Sequence, residues 1–270
     1  MLTDENLTLL LDELYQSYGY DFTSYARASL KRRVSRLMML EKLNGFSELF
    51  YRLRHEDDYL KKVVGELTVN VTEMFRDPTF FRALRESVLP ILATHPFVRI
   101  WHAGCASGEE VYSMAILLEE AGILEKSLLY ATDLNPAVIE NIQKGIFPLS
   151  QMRQYSENYI ASGGKKDFSS YYTAKYEYAK FDGRFKKKMI AATHNLVSDR
   201  SFNEFQLILC RNVLIYFDKD LQDRVLTLFN DSLEKLGFLA LGSKENLRYS
   251  SVAKSFSQFS IKEKIWRKGI

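Results

Sequence analysis

The chain has 270 residues, of which 46% are hydrophobic and 26% charged, and a formal net charge of +3. These values describe a globular protein with room for one large domain or a small and a medium one, and the charge is too small to imply nucleic acid. No run of about 18 apolar residues occurs, so no membrane insertion is expected. Residues 1–5 are acidic and lack an apolar signal core, so a cytoplasmic protein is expected. Two cysteines, Cys105 and Cys210, read as free thiols, and four scattered histidines offer no metal-ligand spacing.

Residues 1–68 read as helical throughout. Leu7, Leu10, Leu11 and Leu14 make one apolar stripe, and Leu30, Val34 and Leu37 make another. The second stripe backs a basic segment, residues 24–40, with Arg27, Lys31, Arg32, Arg33 and Arg36 and no acidic residue. Such a face is a solvated surface or a site for an acidic helix or nucleic acid. Residues 69–80 form a linker with a polar cluster around Phe75. There Thr72 or Asp77 is a candidate cap for a helix from Pro78 to Leu92.

From Val98 onward strand-like and helical runs alternate. Strands are predicted at 98–103, 128–132, 205–210 and 238–242, and helices at 109–121, from Pro136, and at 218–236, the last closed by Gly237. The alternation predicts an α/β fold with a mostly parallel sheet, Rossmann-like, preceded by an all-helical domain. Residues 168–194 break the pattern: Asp182-Gly183 between aromatic segments signals a hairpin, so a small antiparallel β-insert is predicted there. Gly163 to Lys166 reads as its flexible lead-in.

The chemistry concentrates at Ile100-Trp101-His102-Ala103-Gly104-Cys105-Ala106-Ser107-Gly108-Glu109-Glu110. An apolar strand ends in a glycine-bounded loop and a helix begins, which is either a plain turn or the place where an α/β sheet holds a nucleotide. Asp133, ending the second apolar run, suits ribose hydroxyls. Glu109 and Glu110 would repel phosphate at that helix start. A ligand with ribose and positive groups fits, and S-adenosylmethionine has both. In Cys210-Arg211-Asn212-Val213-Leu214-Ile215-Tyr216-Phe217 the Pro-Pro of amine methyltransferases is missing. Arg211 offers no acceptor for an amine, so an anionic methyl acceptor fits better.

Taken in order, Asn70-x-Thr72-x-x-Phe75-Arg76, Ala106-Ser107-Gly108-Glu109-Glu110-x-Tyr112-Ser113, Thr132-Asp133, Asn195-Leu196 and Cys210 to Phe217 make the chain resemble the CheR family of chemotaxis receptor glutamate methyltransferases. The resemblance covers nearly the whole chain. It implies a Rossmann-like S-adenosylmethionine-dependent methyltransferase domain at residues 81–270, with the β-insert at 168–194, behind a receptor-docking domain at 1–68 and the linker at 69–80. It implies esterification of glutamate side chains on the cytoplasmic helical bundle of a chemoreceptor, with S-adenosylhomocysteine as product.

By motif position, Asn70, Thr72 and Arg76 would line the methionine end of the cofactor. Gly104 and Glu110 would meet its amino-acid part, Asp133 its ribose, and Asn195 and Leu196 its adenine. Arg211, Asn212 and Tyr216 would close the reacting centre, with Arg76 and Tyr216 orienting the acceptor carboxylate. The resemblance assigns Arg27, Lys31, Arg32, Arg33 and Arg36 to the receptor. Some members grip a receptor C-terminal peptide with a glycine-rich β-insert loop; residues 173–177 lack glycine, so no such tether is expected. A monomer is expected. Departures from the pattern are Val111 for proline, Gln206 for aspartate, and one extra residue within Gly242-Ser243-Lys244-Glu245-Asn246. Competing readings are a methyltransferase with another acceptor, such as RNA, and a non-catalytic cofactor-binding adaptor.

Overall fold

The computed structural model describes residues 2–68 and 72–270. Four helices open the chain: α1 (Asp4–Tyr18), α2 (Arg27–Leu40), α3 (Phe46–His55) and α4 (Tyr59–Leu67). Thr3 caps α1 by accepting from the Asn6 N–H, and Gly19, left-handed at φ 76°, ends it. The two expected stripes are the core of this bundle: Leu7, Leu10, Leu11 and Leu14 pack with Leu30, Val34 and Leu37.

Pro78 then starts a continuous helical stretch as expected, made of α5 (Pro78–Ala83), a π-helical turn (Leu84–Val88) and α6 (Leu89–Leu92). Asp77 sits at the cap position but makes no capping bond, because its carboxylate is used elsewhere. The sheet domain follows with β1 (Val98–Ala103), α7 (Glu109–Glu120), β2 (Ser127–Asp133), α8 (Pro136–Lys144), β3 (Ile146–Pro148), α9 (Met152–Ala161), β4 (Tyr172–Lys175), β5 (Tyr178–Phe181), α10 (Gly183–Lys186), β6 (Met189–Thr193), β7 (Phe205–Cys210), α11 (Lys219–Ser232), β8 (Leu233–Leu241), β9 (Phe256–Ser260) and β10 (Ile265–Lys268).

The main sheet has the order β6-β2-β1-β7-β8-β10-β9. Strands β6, β2, β1, β7 and β8 run parallel and β10 and β9 antiparallel. β1 and β7 are buried along almost their whole length, the burial expected of a parallel sheet covered on both faces.

Two expected boundaries are corrected. The predicted helix 218–236 ends at Ser232, because Leu233 pairs with Phe205 and is buried there, so β8 begins five residues earlier than the strand predicted at 238–242, and β9 and β10 follow it where no strand is predicted. Leu236, at φ 65°, bends this strand beside Gly237. The β-insert is also redrawn. The small sheet is β3-β5-β4, so it recruits residues 146–148 and gives up β6, which joins the edge of the main sheet beside β2. Asp182-Gly183 is not its turn: Asp182 accepts from the Arg184 N–H and caps α10, while Tyr176-Glu177 joins β4 to β5. Nor is the Gly163–Lys166 tract loose. Gly164 lies against the Tyr159 ring, and the Lys165 and Lys166 amides donate to Glu120 and Tyr159.

Candidate cofactor and methyl-transfer site

β1 lies between β2 and β7, so the chain reverses its winding direction at the carboxyl end of β1. That reversal opens a crevice where α/β sheets bind their ligands. Gly104 and Cys105 turn away from β1 with both amides donating to the Thr132 carbonyl, at 2.8 and 3.0 Å. Gly104 needs to be glycine twice over. Its φ is +75°, and a Cβ would lie 2.5 Å from a methyl carbon of Val213.

Buried carboxylates fasten the loops around this crevice. Asp133 accepts from the Ala106 amide at 2.9 Å and the Asn135 amide at 3.0 Å. Burial pushes its carboxyl above the usual range, against those bonds. Glu245 does the same for the loop after β7: it accepts from the amides of Asn212 at 3.0 Å, Val213 at 2.8 Å and Gly242 at 2.5 Å. It holds Asn212 left-handed at φ 62°. Phe75, Asp77 and Ala106 share that unusual region, so four non-glycine residues of the surrounding loops carry positive φ. Such strain costs about 1–3 kcal/mol each and collects where a site is preorganised.

The other wall comes from the helical domain. Tyr25 and Phe217 form an isolated antiparallel bridge, with Ala26 N donating to Tyr216 O and Asp218 N to Ser24 O, both at 2.9 Å. Between the two domains lies a cleft with about 680 Å³ of unoccupied space, part of it open to solvent. Tyr25, Ser29, Leu30, Arg33, Leu67 and Thr68 line one side. Gly104, Asp133, Leu134, His194, Asn195, Leu196, Asn212, Val213, Tyr216 and Phe217 line the other.

Six residues expected around the cofactor and the reacting centre therefore share one cavity: Gly104, Asp133, Asn195, Leu196, Asn212 and Tyr216. Thr72, Arg76, Glu110 and Arg211 are not among its lining residues, and Asn70 lies outside the described residues. Arg33, expected on the receptor face, instead lines the cleft, with its guanidinium 5.3 Å from the centre of the Tyr216 ring. It donates to the Glu66 carbonyl at 3.2 Å, and burial lowers its pKa from the usual guanidinium value.

Beside the cleft, Arg211 ties three segments together. It donates to Asp77 at 2.6 Å and to Glu110 at 3.2 Å, and its guanidinium stacks 4.0 Å from the centre of the Phe80 ring. Its charge is thus already paired, which corrects the expectation that Arg211 argues for an anionic acceptor. The second oxygen of Glu110 meets His102 Nδ1 at 2.9 Å. Burial raises the Glu110 pKa, but the bond from His102 and the charge of Arg211 outweigh it and hold the carboxyl below its usual value.

The basic helix is also less bare than its sequence. Arg27 donates to Asp4 O and Thr8, Lys31 pairs with Asp4 at 2.8 Å, and Arg36 pairs with Glu66 at 2.9 Å. Its cations are therefore not uncompensated, because their partners come from α1 and α4. Arg32 alone of the five is exposed and makes no bond among the described residues.

Glu245, Tyr25 and His194 escaped the sequence reading as members of the site. For Glu245 the signal was present, a carboxylate directly behind an apolar strand in the segment whose extra residue stood out. Tyr25 and His194 had none, since only the tertiary fold brings them to the crevice.

Residues 70–265 match the family model for the SAM-binding domain of CheR methyltransferases, and residues 5–68 match the all-alpha domain of the same family. The chain belongs to the CheR methyltransferase family. It is 45% identical over 266 residues to the Cher3 protein of Pseudomonas putida, covering 98% of this chain and 97% of that one. It is 30% identical to a chemotaxis protein methyltransferase of Listeria innocua, over 85% of each chain. A chemotaxis protein methyltransferase 2 of Pseudomonas aeruginosa is also 30% identical, with 92% of this chain and 89% of that one covered. S-adenosylmethionine is the cofactor of this fold, and the cleft suits it. Asp133 lines this cleft with both carboxylate oxygens accepting backbone amides. His194, nine-tenths buried on the same wall, has no partner for Nδ1 among the described residues.

Proposed function

We propose that this CheR-family methyltransferase esterifies glutamate side chains on the cytoplasmic helices of a chemoreceptor, as part of sensory adaptation in chemotaxis. The observation that carries this reading is the placement of the Arg33–Tyr216 pair. A cation and a phenol, stacked, stand at the junction where the helical domain meets the cofactor cleft. The relatives named for chemotaxis support the same reading.

The bound cofactor supplies an electrophilic methyl group on a sulfonium. A glutamate acceptor is already ionised at neutral pH, with a reference pKa of about 4.3, so the chain needs no general base. Its work is alignment, which can be worth several orders of magnitude in rate. Tyr216 and Arg33 are proposed to hold the acceptor oxygens by a hydroxyl bond and a charge-assisted bond. Arg76 is proposed for the same carboxylate from the linker side. Asn70 and Thr72 are proposed at the methionine end, together with Glu110. Asp133 is proposed for the ribose and Asn195 with Leu196 for the adenine. Arg211 acts as the tie that holds Glu110 and Asp77.

Receptor docking is proposed for the outer face of α2, through Arg27, Lys31, Arg32 and Arg36. Exposed ion pairs such as Lys31–Asp4 contribute only about 0.2–1 kcal/mol, so receptor carboxylates can replace the internal partners at small cost. The two-residue turn between β4 and β5 leaves no long loop for a peptide clamp, so docking is proposed without the C-terminal tether. A pull-down with receptor C-terminal peptides should recover none of this protein; clear capture would restore the tether.

The activity is tested with radiolabelled S-adenosylmethionine and receptor cytoplasmic fragments. Counts released as methanol by base are expected, the mark of an ester. Labelled RNA, or no transfer to any acceptor, would reject the glutamate reading.

A further inference from the structure

Asp133 lines the cleft from the methyltransferase domain, and a residue of the helical domain, Tyr25, lines it as well. Tyr25 lines the cleft with its ring edge-on to two phenylalanines, Phe22 at 5.0 Å and Phe217 at 4.9 Å. Its backbone is bridged to Phe217. Ring and backbone are therefore fixed, while the hydroxyl makes no hydrogen bond among the described residues. It is also absent from the fully enclosed polar atoms that lack a partner. A fixed, unpartnered phenol that keeps access to the cleft is placed to bond whatever enters. Burial, then the nearby charges of Asp133 and Asp21, push its pKa upward, so at neutral pH it is a donor.

We propose that Tyr25 is a cofactor-binding residue supplied by the helical domain, whose hydroxyl donates to the ribose of S-adenosylmethionine in the cleft that Asp133 also lines. This rests on reading the cleft as the cofactor site. The chemistry is complementary. Each ribose hydroxyl is both donor and acceptor; Asp133 only accepts, and Tyr25 donates. A hydroxyl bound between them satisfies both groups. The cofactor would then touch both domains at once, and the domain expected to dock the receptor would complete the nucleoside site rather than merely cover it.

The test is calorimetric titration of the full chain with S-adenosylhomocysteine, using Tyr25→Phe and Asp133→Asn, with ligand-free Tm measured for each. Tyr25→Phe keeps the ring contacts, so its Tm should match the unmodified chain while affinity falls about threefold to tenfold, the worth of one hydrogen bond. Equal affinity in Tyr25→Phe, with Asp133→Asn weakened, would overturn the proposal and leave the cleft as the cofactor site. Full affinity in both variants would reject the cleft reading itself, and the proposal with it. A Tyr25→Phe protein whose Tm falls along with its affinity would assign the residue a packing role and also overturn the proposal. Adenosine, which carries the ribose without the amino-acid end, should lose the same factor, and an undiminished adenosine affinity would place the contact elsewhere.

Discussion

On the sheet side of the cleft, loops hang from buried carboxylates: Asp133 holds two backbone amides and Glu245 three. On the helical side, Tyr25 and Arg33 are held by two interdomain backbone bonds, by edge-on ring contacts and by the stack on Tyr216. The first wall is fixed by bonds that cannot be broken without stranding buried polar groups. The second is fixed by contacts that are individually small. The rigid wall is proposed to fix the cofactor, while the lighter wall, continuous with the docking helix, is proposed to meet the acceptor and, through Tyr25, the ribose.

The contrast is broken most severely at Glu245. Glu245→Ala strands three amides and is expected to cost about 3–5 kcal/mol in urea unfolding. A loss under 1 kcal/mol would show that the β7 loop does not depend on it. Next comes Arg76→Ala, expected to lower turnover about a hundredfold while cofactor affinity changes less than about threefold, since orientation acts in the transition state. Equal losses in both, measured by calorimetry beside a methyl-transfer assay, would remove its proposed role.

Arg33→Met should reduce kcat/KM for receptor fragments about tenfold. Arg33→Lys should restore little of it, because an ammonium replaces neither the planar stack nor the fork of donors. Full activity in Arg33→Met would remove its proposed role at the acceptor. Glu110 gives a pH signature. Its folded pKa lies below its unfolded value, so its stabilisation is fully present above about pH 4.5 and is lost as pH falls through the lowered value. The stability difference between the unmodified chain and Glu110→Gln should therefore shrink from pH 6 to pH 3. A constant difference would mean that the His102 and Arg211 contacts do not favour the ionised form. The smallest effect is expected from salt: raising ionic strength should weaken receptor docking severalfold and leave cofactor affinity nearly unchanged.

What the sequence made legible follows the same division. The strands at 98–103 and 205–210 could be read because runs buried on both faces are mostly apolar, with Arg99, His102 and Gln206 the exceptions. Gly104, Asp133 and Asn212 could be read because strand ends and loops carry the ligand in this architecture. Leu233 could not be placed, since its helical spacing behind Phe229 loses to a pairing with Phe205 that is set by the sheet. Arg211 looked free because Glu110 and Asp77 are remote in sequence. The cations of α2 looked bare because Asp4 and Glu66 lie on other helices. Local pattern reports which residues meet a core; it does not report which distant charge a side chain finds.

The acceptor glutamate is proposed to be esterified at the Arg33–Tyr216 edge of the cleft. Mass-spectrometric mapping of a receptor cytoplasmic fragment, after incubation with the full chain and S-adenosylmethionine, decides this. Expected is the added mass of one methylene on glutamate side chains, removed by mild alkali and strongly reduced with Arg33→Met and Tyr216→Phe. An alkali-stable mark on lysine or arginine, or a glutamate mark unaffected by both substitutions, would contradict it.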